Sequence, residues 1–194
     1  MKEMNAQGEG NLLPKLPWSL ATRPILLSMA LVIPCFWRPI VTGIDLQSHL
    51  YNAWLAELIQ SGSIHGLWIG HQSTNIVIDI ILAWLMKSFG VSVAERVLTA
   101  VLVLLFFWGA LQFITAVSGR AAYWLVPWLA ILSYGVVFQV GLLNYYLSCA
   151  IVLWLFAFLW KQRLGWLTLC AVPFLILAYL AHPLPVLWFL ERVS

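Results

Sequence analysis

Five apolar stretches occupy most of this chain, and each is close to the length that a helix needs to cross a bilayer. They are Pro24–Thr42, Arg96–Ser118, Ala121–Val137, Tyr145–Trp160 and Leu164–Ala181. A transmembrane helix needs about 20 apolar residues. Only 9% of the residues are charged, whereas soluble domains carry about 25% charged residues. The sequence therefore predicts an all-α fold, a polytopic membrane helix bundle with about five transmembrane helices.

A sixth apolar stretch, Asn75–Ser88, decides the topology. A helix of this length extends only about 21 Å, and Asp79 interrupts it. If this stretch does not cross the membrane, five positively charged residues fall on one side, as the positive-inside rule favours. These residues are Lys15, Arg23, Arg120, Lys161 and Arg163. The rule predicts a cytoplasmic segment (1–23) and one membrane module (24–194) whose outer loop (43–95) holds one or two amphipathic interfacial helices.

Within this outer loop, the segment Gly43–Gln60 is predicted to form a helix with a polar face. Asp45, His49 and Asn52 follow one another at i, i+4 and i+7 and therefore share that face. An apolar stripe adjoins it, made of Leu46, Leu50, Ala53 and Trp54. Asp45 is either a catalytic carboxylate or the cap of a helix that starts at Leu46. His49 and Asn52 either complete a polar pocket or form ordinary interfacial hydrogen bonds.

Two further polar positions stand at the edges of apolar stretches. Asp79 is expected to point, together with Asn75, toward protein or water, because an ionised carboxylate in lipid costs several kcal/mol. It is a functional candidate or a structural hydrogen-bonding group. Asn144 and Tyr145 begin the fourth span and face outward, near the outer loop, where tyrosines commonly anchor the chain at the interface. His182, near the end of the fifth span, is interpreted as structural.

Other binding classes find little support in the sequence. The net charge of +3 is spread thinly, without a basic cluster, so nucleic acid is not an expected partner. His49, His65 and His71 are too irregularly spaced to indicate a metal site, and loop polarity explains them better. The three cysteines share no metal-ligand spacing.

The order of these elements resembles the N-terminal module of the GT-C superfamily of integral-membrane glycosyltransferases. Four short stretches carry the resemblance, which covers roughly residues 24–190. These stretches are similar to those of bacterial membrane proteins placed near the GT-C group. They read DLQSHLYNAWLAELI, GLWI, LLNYYLS and AHPLPVLW. The resemblance implies a bacterial plasma (inner) membrane protein that takes its sugar from a polyprenyl phosphate and gives it to a protein, lipid or glycan.

The resemblance also implies roles for individual residues. Asp45 matches the family's acid after the first span, which serves as catalytic base or as a ligand near the donor phosphate. The implied substrate-binding residues are His49, Asn52, Asp79, Asn144 and Tyr145. Where family members often carry a second acid, this chain has Asn144. No cofactor is evident in the sequence, and the family allows a divalent metal.

Two expectations concern the protein as a whole. Family members continue beyond this length, whereas here an apolar run of about eight residues precedes Ser194, fewer than the roughly 20 that cross a bilayer. We therefore expect a fragment, or a chain that needs a partner chain to complete the bundle, and no sugar transfer by this polypeptide alone. The alternative to an enzyme is a non-enzymatic membrane protein: a transporter or assembly subunit, or an inactive remnant of the enzyme.

Overall fold

The computed structural model describes residues 22–37, 43–70, 72–160 and 166–193. Every regular element within these ranges is helical, and the elements include nine α-helices and one 3-10 turn (Tyr123–Leu125). The helices are α1 (Thr22–Trp37), α2 (Ile44–Gln60), α3 (Val77–Phe89), α4 (Val91–Ser118), α5 (Val126–Ser133), α6 (Val136–Val140), α7 (Leu143–Leu159), α8 (Trp166–Ala181) and α9 (Pro183–Val193). The predicted all-α class is confirmed.

Four of the five predicted spans correspond to single helices, namely α1, α4, α7 and α8. The third is interrupted, because Tyr134 and Gly135 separate α5 from α6. In the described residues, two segments are long and apolar enough to cross a membrane, Val91–Ser118 and Tyr123–Val140. Shorter apolar helices cover Thr22–Trp37, Leu143–Leu159 and Leu169–Ala181. The number of helices that cross a membrane remains a prediction.

The bundle is built around α4 and α7, which run parallel to each other. Phe106 stacks on Tyr146 with ring centroids 4.7 Å apart, and further along both helices Phe113 contacts Phe156 at 5.3 Å. Gly109 makes this close approach possible, because a Cβ there would lie 3.0 Å from the Trp154 ring. Helix α7 therefore packs against α4 along most of its own length.

Helices α1 and α8 run in the opposite direction. Leu31 packs with Phe107 in the second half of α4, whereas Cys35, further along α1, joins the cluster around Val103. His182 directly follows α8. Its backbone carbonyl accepts a hydrogen bond at 2.8 Å from the Ser148 hydroxyl, in the second turn of α7. The C-terminal ends of α1 and α8 and the N-terminal end of α7 therefore lie at one end of the bundle, which we term the site end.

Two of the five positively charged residues behind the topology prediction are described, and both lie at the opposite end of the bundle from the site end. Arg23 is in the first turn of α1, and Arg120 follows the last turn of α4. Two other described cations, Lys87 in the last turn of α3 and Arg96 near the start of α4, belong to the site end. Lys15, Lys161 and Arg163 lie outside the described residues. The helix directions thus agree with the charge pattern on which the topology prediction rests.

Helices α2 and α3 fold over the site end. Leu46, Leu50 and Ala53 of the predicted apolar stripe are buried, whereas Trp54 is exposed and contacts Tyr51 instead. The first turn of α3 is fixed to α7, because the Asn144 amide accepts from the Ile78 N–H at 3.0 Å. The polar segments predicted to lie near each other do so in the structure.

Large apolar side chains cover the outward faces of several helices. On α1, α5 and α8 they include Met29, Ile33, Trp128, Ile131, Leu169 and Phe174. Continuous apolar surface of this kind marks contact with a membrane or with another protein.

Candidate functional site

The centre of the candidate site is a histidine held between two carboxylates. His49 Nδ1 lies 2.6 Å from Asp79 Oδ1, and His49 Nε2 lies 3.4 Å from Asp45 Oδ2. The imidazole is only 6% exposed, whereas the Asp45 and Asp79 side chains are 40% and 27% exposed. The buried ring therefore connects two carboxylates that both reach solvent.

Local and long-range features both contribute to this arrangement. Asp45 and His49 meet because residues four apart lie on one face of a helix. Asp79 belongs to α3, and Asn144 holds the start of that helix in place. The Asn144 amide oxygen accepts from the Ile78 N–H, and the Asn144 amide nitrogen donates to the Asn75 carbonyl at 3.1 Å. The docking of α3 on α7 thus places Asp79 against His49.

The alternative interpretation of Asp45 as a helix cap is wrong. Helix α2 begins at Ile44, not at Leu46, and its N-cap is Gly43, in extended conformation with no side-chain capping bond. Asp45 therefore lies inside the first turn, where a negative charge interacts favourably with the helix dipole. Its carboxylate is directed toward His49 instead of toward the backbone N–H groups of a cap.

The two carboxylates raise the pKa of His49 above its usual value of 6.5. The hydrogen bond with Asp79 is the main cause, burial opposes it, and the charges of Asp79 and Asp45 add to the increase. A histidine next to carboxylates is well placed to exchange protons near neutral pH.

The protonation of His49 predicts a pH-dependent stability. Because the folded pKa is raised, the stabilisation from the protonated ring is complete below pH 6.5 and is lost as the pH rises through the folded pKa. We expect the unfolding midpoint to fall between about pH 6 and about pH 9, and less so in His49→Gln. Thermal unfolding in lipid nanodiscs measures this, with the exposed loop residue His65→Gln as control. Equal pH dependence in His49→Gln and the wild type would contradict the assignment.

Asp45 borders a cavity of about 320 Å³ at the site end. Asn75, Tyr145 and His182 also line it. The residues around it belong to the starts of four helices: the first turns of α2, α7 and α9 and the residue before the N-cap of α3. Helix N-termini carry partial positive charge. The cavity thus combines one carboxylate with the positive ends of several helix dipoles.

Asn144, a predicted substrate-binding residue that also lines this cavity, has a structural role. It is 1% exposed, and both ends of its amide are engaged in holding the start of α3. Tyr145 is more available: its ring meets the His182 ring edge-on with centroids 5.3 Å apart. Tyr145 and His182 together form one wall of the Asp45 cavity.

Asn52 does not share a pocket with Asp45, although both were predicted on one polar face. Asn52 and Asp79 border a second cavity of about 500 Å³ between α2 and α3. The His49–Asp79 pair lies between this groove and the Asp45 cavity. The predicted residues therefore form two adjoining sites connected by one imidazole.

Asn75 and Asp79 both point toward protein or water, as expected, but they do not share one helical face. Asn75 precedes α3 and has a left-handed backbone with φ of 61°, so helical spacing does not apply to it. Asn75 lines the Asp45 cavity, and Asp79 lines the groove. His182, interpreted as structural from the sequence, also lines the Asp45 cavity. Its position before Pro183 at the end of an apolar helix was the available signal.

The described residues around Asp45 offer few free ligands for a divalent metal. Mg²⁺ prefers several oxygen ligands in octahedral geometry. Among the described residues, no group of three or more His, Cys, Asp or Glu side chains has an arrangement that could hold a metal ion. The Asn144 amide is already engaged, and His182 Nδ1 accepts from the Leu184 N–H at 3.3 Å. His71, one of the weak metal candidates, lies outside the described residues.

Comparisons of the chain with protein-family models, with characterised proteins and with solved structures give no match.

Proposed function

We propose that the chain is the membrane module of a glycosyltransferase that uses a polyprenyl-phosphate-linked sugar, with Asp45 as its base. One observation carries the proposal: a partly exposed carboxylate opens into a cavity at the end of an apolar bundle and is backed by a buried histidine. The GT-C resemblance of the sequence supports it as well. In this proposal the polyprenyl tail lies in lipid, and the phosphate and sugar occupy the Asp45 cavity.

The electrostatics of the cavity suit a phosphate next to a carboxylate. An anion would normally be repelled by Asp45, but the starts of four helices surround the cavity. Helix N-termini are favourable places for phosphate groups. The volume of about 320 Å³ falls at the small end of the usual range for ligand pockets, about 300–1,000 Å³. A phosphate with one sugar is a ligand of suitable size for this cavity.

The proposed membrane placement puts the site on the outer side. Arg23 and Arg120 lie at the end of the bundle opposite the site, and positively charged residues favour the cytoplasmic side. In this arrangement α1, α4, the α5–α6 segment, α7 and α8 span the bilayer of a bacterial plasma membrane. Helices α2 and α3 then lie at the outer interface, where a lipid-linked donor would present its head group.

The proposed chemistry balances without a cofactor. The acceptor hydroxyl gives its proton to Asp45, and its oxygen forms the new bond to the anomeric carbon. The bond from that carbon to the phosphate oxygen breaks, and its electron pair leaves with the polyprenyl phosphate. A general base within hydrogen-bond reach contributes about 10²–10⁴-fold to a rate. His49, whose Nε2 lies 3.4 Å from the Asp45 carboxylate, orients that carboxylate by charge and thus acts as a positioning residue.

A second candidate function is that of a proton-coupled transporter or assembly subunit. The observation that favours it is the chain Asp45–His49–Asp79, which links two cavities through a buried ring. Ionisable groups in series within membrane proteins commonly relay protons. This candidate requires no donor in the Asp45 cavity, and the same experiment tests both candidates.

Donor capture tests the proposed function. The chain in lipid nanodiscs is illuminated with a polyprenyl-phosphate sugar that carries a diazirine on the sugar, and adducts are mapped by mass spectrometry. We expect adducts on Leu142–Tyr145 and His182–Leu184, displaced by unlabelled donor. Tyr145→Trp, which narrows the cavity, should reduce them, and Tyr51→Trp, at an exposed tyrosine of α2, should not. Adducts confined to the lipid-facing residues of α1 and α8 would contradict the enzyme and favour the second candidate.

A further inference from the structure

The groove between α2 and α3 has no part in the proposed donor site, although it is the larger of the two cavities at about 500 Å³. Three small side chains, Ala53, Ala56 and Ala83, are among the residues that line it. The groove exists because these alanines, on α2 and α3, leave space where the two helices face each other. Asp79, which contacts His49, lies at its border.

Three side-chain amides surround the groove without a hydrogen-bond partner among the described residues. Asn52, Gln60 and Gln72 line it, and none of them makes a side-chain hydrogen bond to another residue that the structure describes. Each amide offers both donors and an acceptor, and the Asp79 carboxylate adds further acceptors. The groove is therefore equipped for a ligand that both donates and accepts hydrogen bonds.

An exposed indole stands beside these amides. Trp68 lies in the loop between α2 and α3, borders the groove and is 84% exposed. Gly66, with φ of 82°, and Gly70 flank the exposed segment Leu67–Ile69. The indole offers a large apolar face beside groups that form hydrogen bonds.

We propose that this groove binds a neutral oligosaccharide. A sugar ring has an apolar C–H face, which can stack on Trp68, and hydroxyl groups, which can bond to the amides and donate to Asp79. Asp79 carries the only formal charge among the described lining residues, so an anionic glycan is disfavoured. Binding itself does not depend on transfer activity, whereas the use of the groove as an acceptor site rests on the proposed function.

Calorimetric titration of the full chain in lipid nanodiscs tests the inference. Oligosaccharides of glucose, mannose, galactose and N-acetylglucosamine are added separately, with oligogalacturonate as the anionic probe. We expect saturable binding of at least one neutral sugar and weaker binding of oligogalacturonate. Trp68→Ala is expected to weaken binding about two- to tenfold, because an aromatic stacking contact contributes about 0.5–1.5 kcal/mol.

The matched control is Trp84→Ala, an exposed tryptophan of α3 that does not line the groove, and it should leave the affinity unchanged. Three results would overturn the inference: no binding of any neutral sugar at about 10 mM, equal weakening by both tryptophan variants, or tighter binding of the anionic probe. Donor capture at the Asp45 cavity is read out separately, so the failure of either proposal can be recognised without the other.

Discussion

Asp45→Asn is expected to abolish sugar transfer while the protein stays inserted and folded. Asparagine has nearly the same shape, but it cannot accept the acceptor's proton. Since Asp45 is not the cap of α2, the substitution removes no helix-capping bond. We expect a loss of about 10²-fold or more, the size of a general-base contribution. Transfer from a radiolabelled polyprenyl-phosphate sugar is measured in membranes of the source cells, where any partner chain is present.

The control for this experiment lies on the same helix. Glu57 is an exposed acid of α2 that lines neither cavity, so Glu57→Gln removes the same charge and should retain full activity. Unchanged transfer by Asp45→Asn would exclude Asp45 as the base. Loss of transfer together with loss of folded protein would instead assign Asp45 a structural role.

Gly141→Ala is expected to be the most destabilising small substitution at the site end. Gly141 has φ of 87°, and a Cβ there would lie 2.8 Å from the backbone N of Leu46 and 3.2 Å from that of Asp45. The left-handed backbone costs about 1–2 kcal/mol for an L-residue, and the steric overlap adds about 1–3 kcal/mol. We expect a loss of about 2–5 kcal/mol in the free energy of unfolding, since α2 must move away from α7.

Gly62→Ala separates the two contributions. Gly62 has a similar φ of 72°, but nothing lies within 4 Å of a Cβ at that position. It should therefore lose only the backbone contribution. Chemical denaturation of both variants in the same detergent gives the difference. Equal destabilisation by the two variants would show that the contact between Gly141 and the start of α2 is not close in solution.

Composition and apolar length were sufficient to predict the helical class and four of the helices, because burial in an apolar medium depends on local runs of residues. The break between α5 and α6 was missed because the apolar run continues through it. Gly135 and Gly141 mark the start and end of α6, but a glycine in an apolar run does not by itself show a break.

The candidate site could be predicted only where it depends on neighbouring residues. The Asp45–His49 pair follows from helical spacing. The His49–Asp79 contact joins residues 30 positions apart, and it depends on how Asn144 fixes α3 to α7. Asn75 and Asp79 both reach a cavity, but different ones, because Asn75 precedes the start of α3 and helical spacing does not apply to it. His182 comes to the Asp45 cavity because the end of α8 lies against the start of α7, where Ser148 donates to the His182 carbonyl.

Cysteine accessibility tests the central claim, that the Asp45 site lies on the outer side of a membrane bundle. In a chain with Cys35, Cys149 and Cys170 replaced by serine, single cysteines are introduced by His65→Cys, Arg120→Cys and Lys161→Cys. A membrane-impermeant maleimide is applied to intact cells and to permeabilised cells. We predict that His65→Cys is labelled in intact cells and that the other two are labelled only after permeabilisation. Labelling of His65→Cys and Arg120→Cys from the same side would contradict the account.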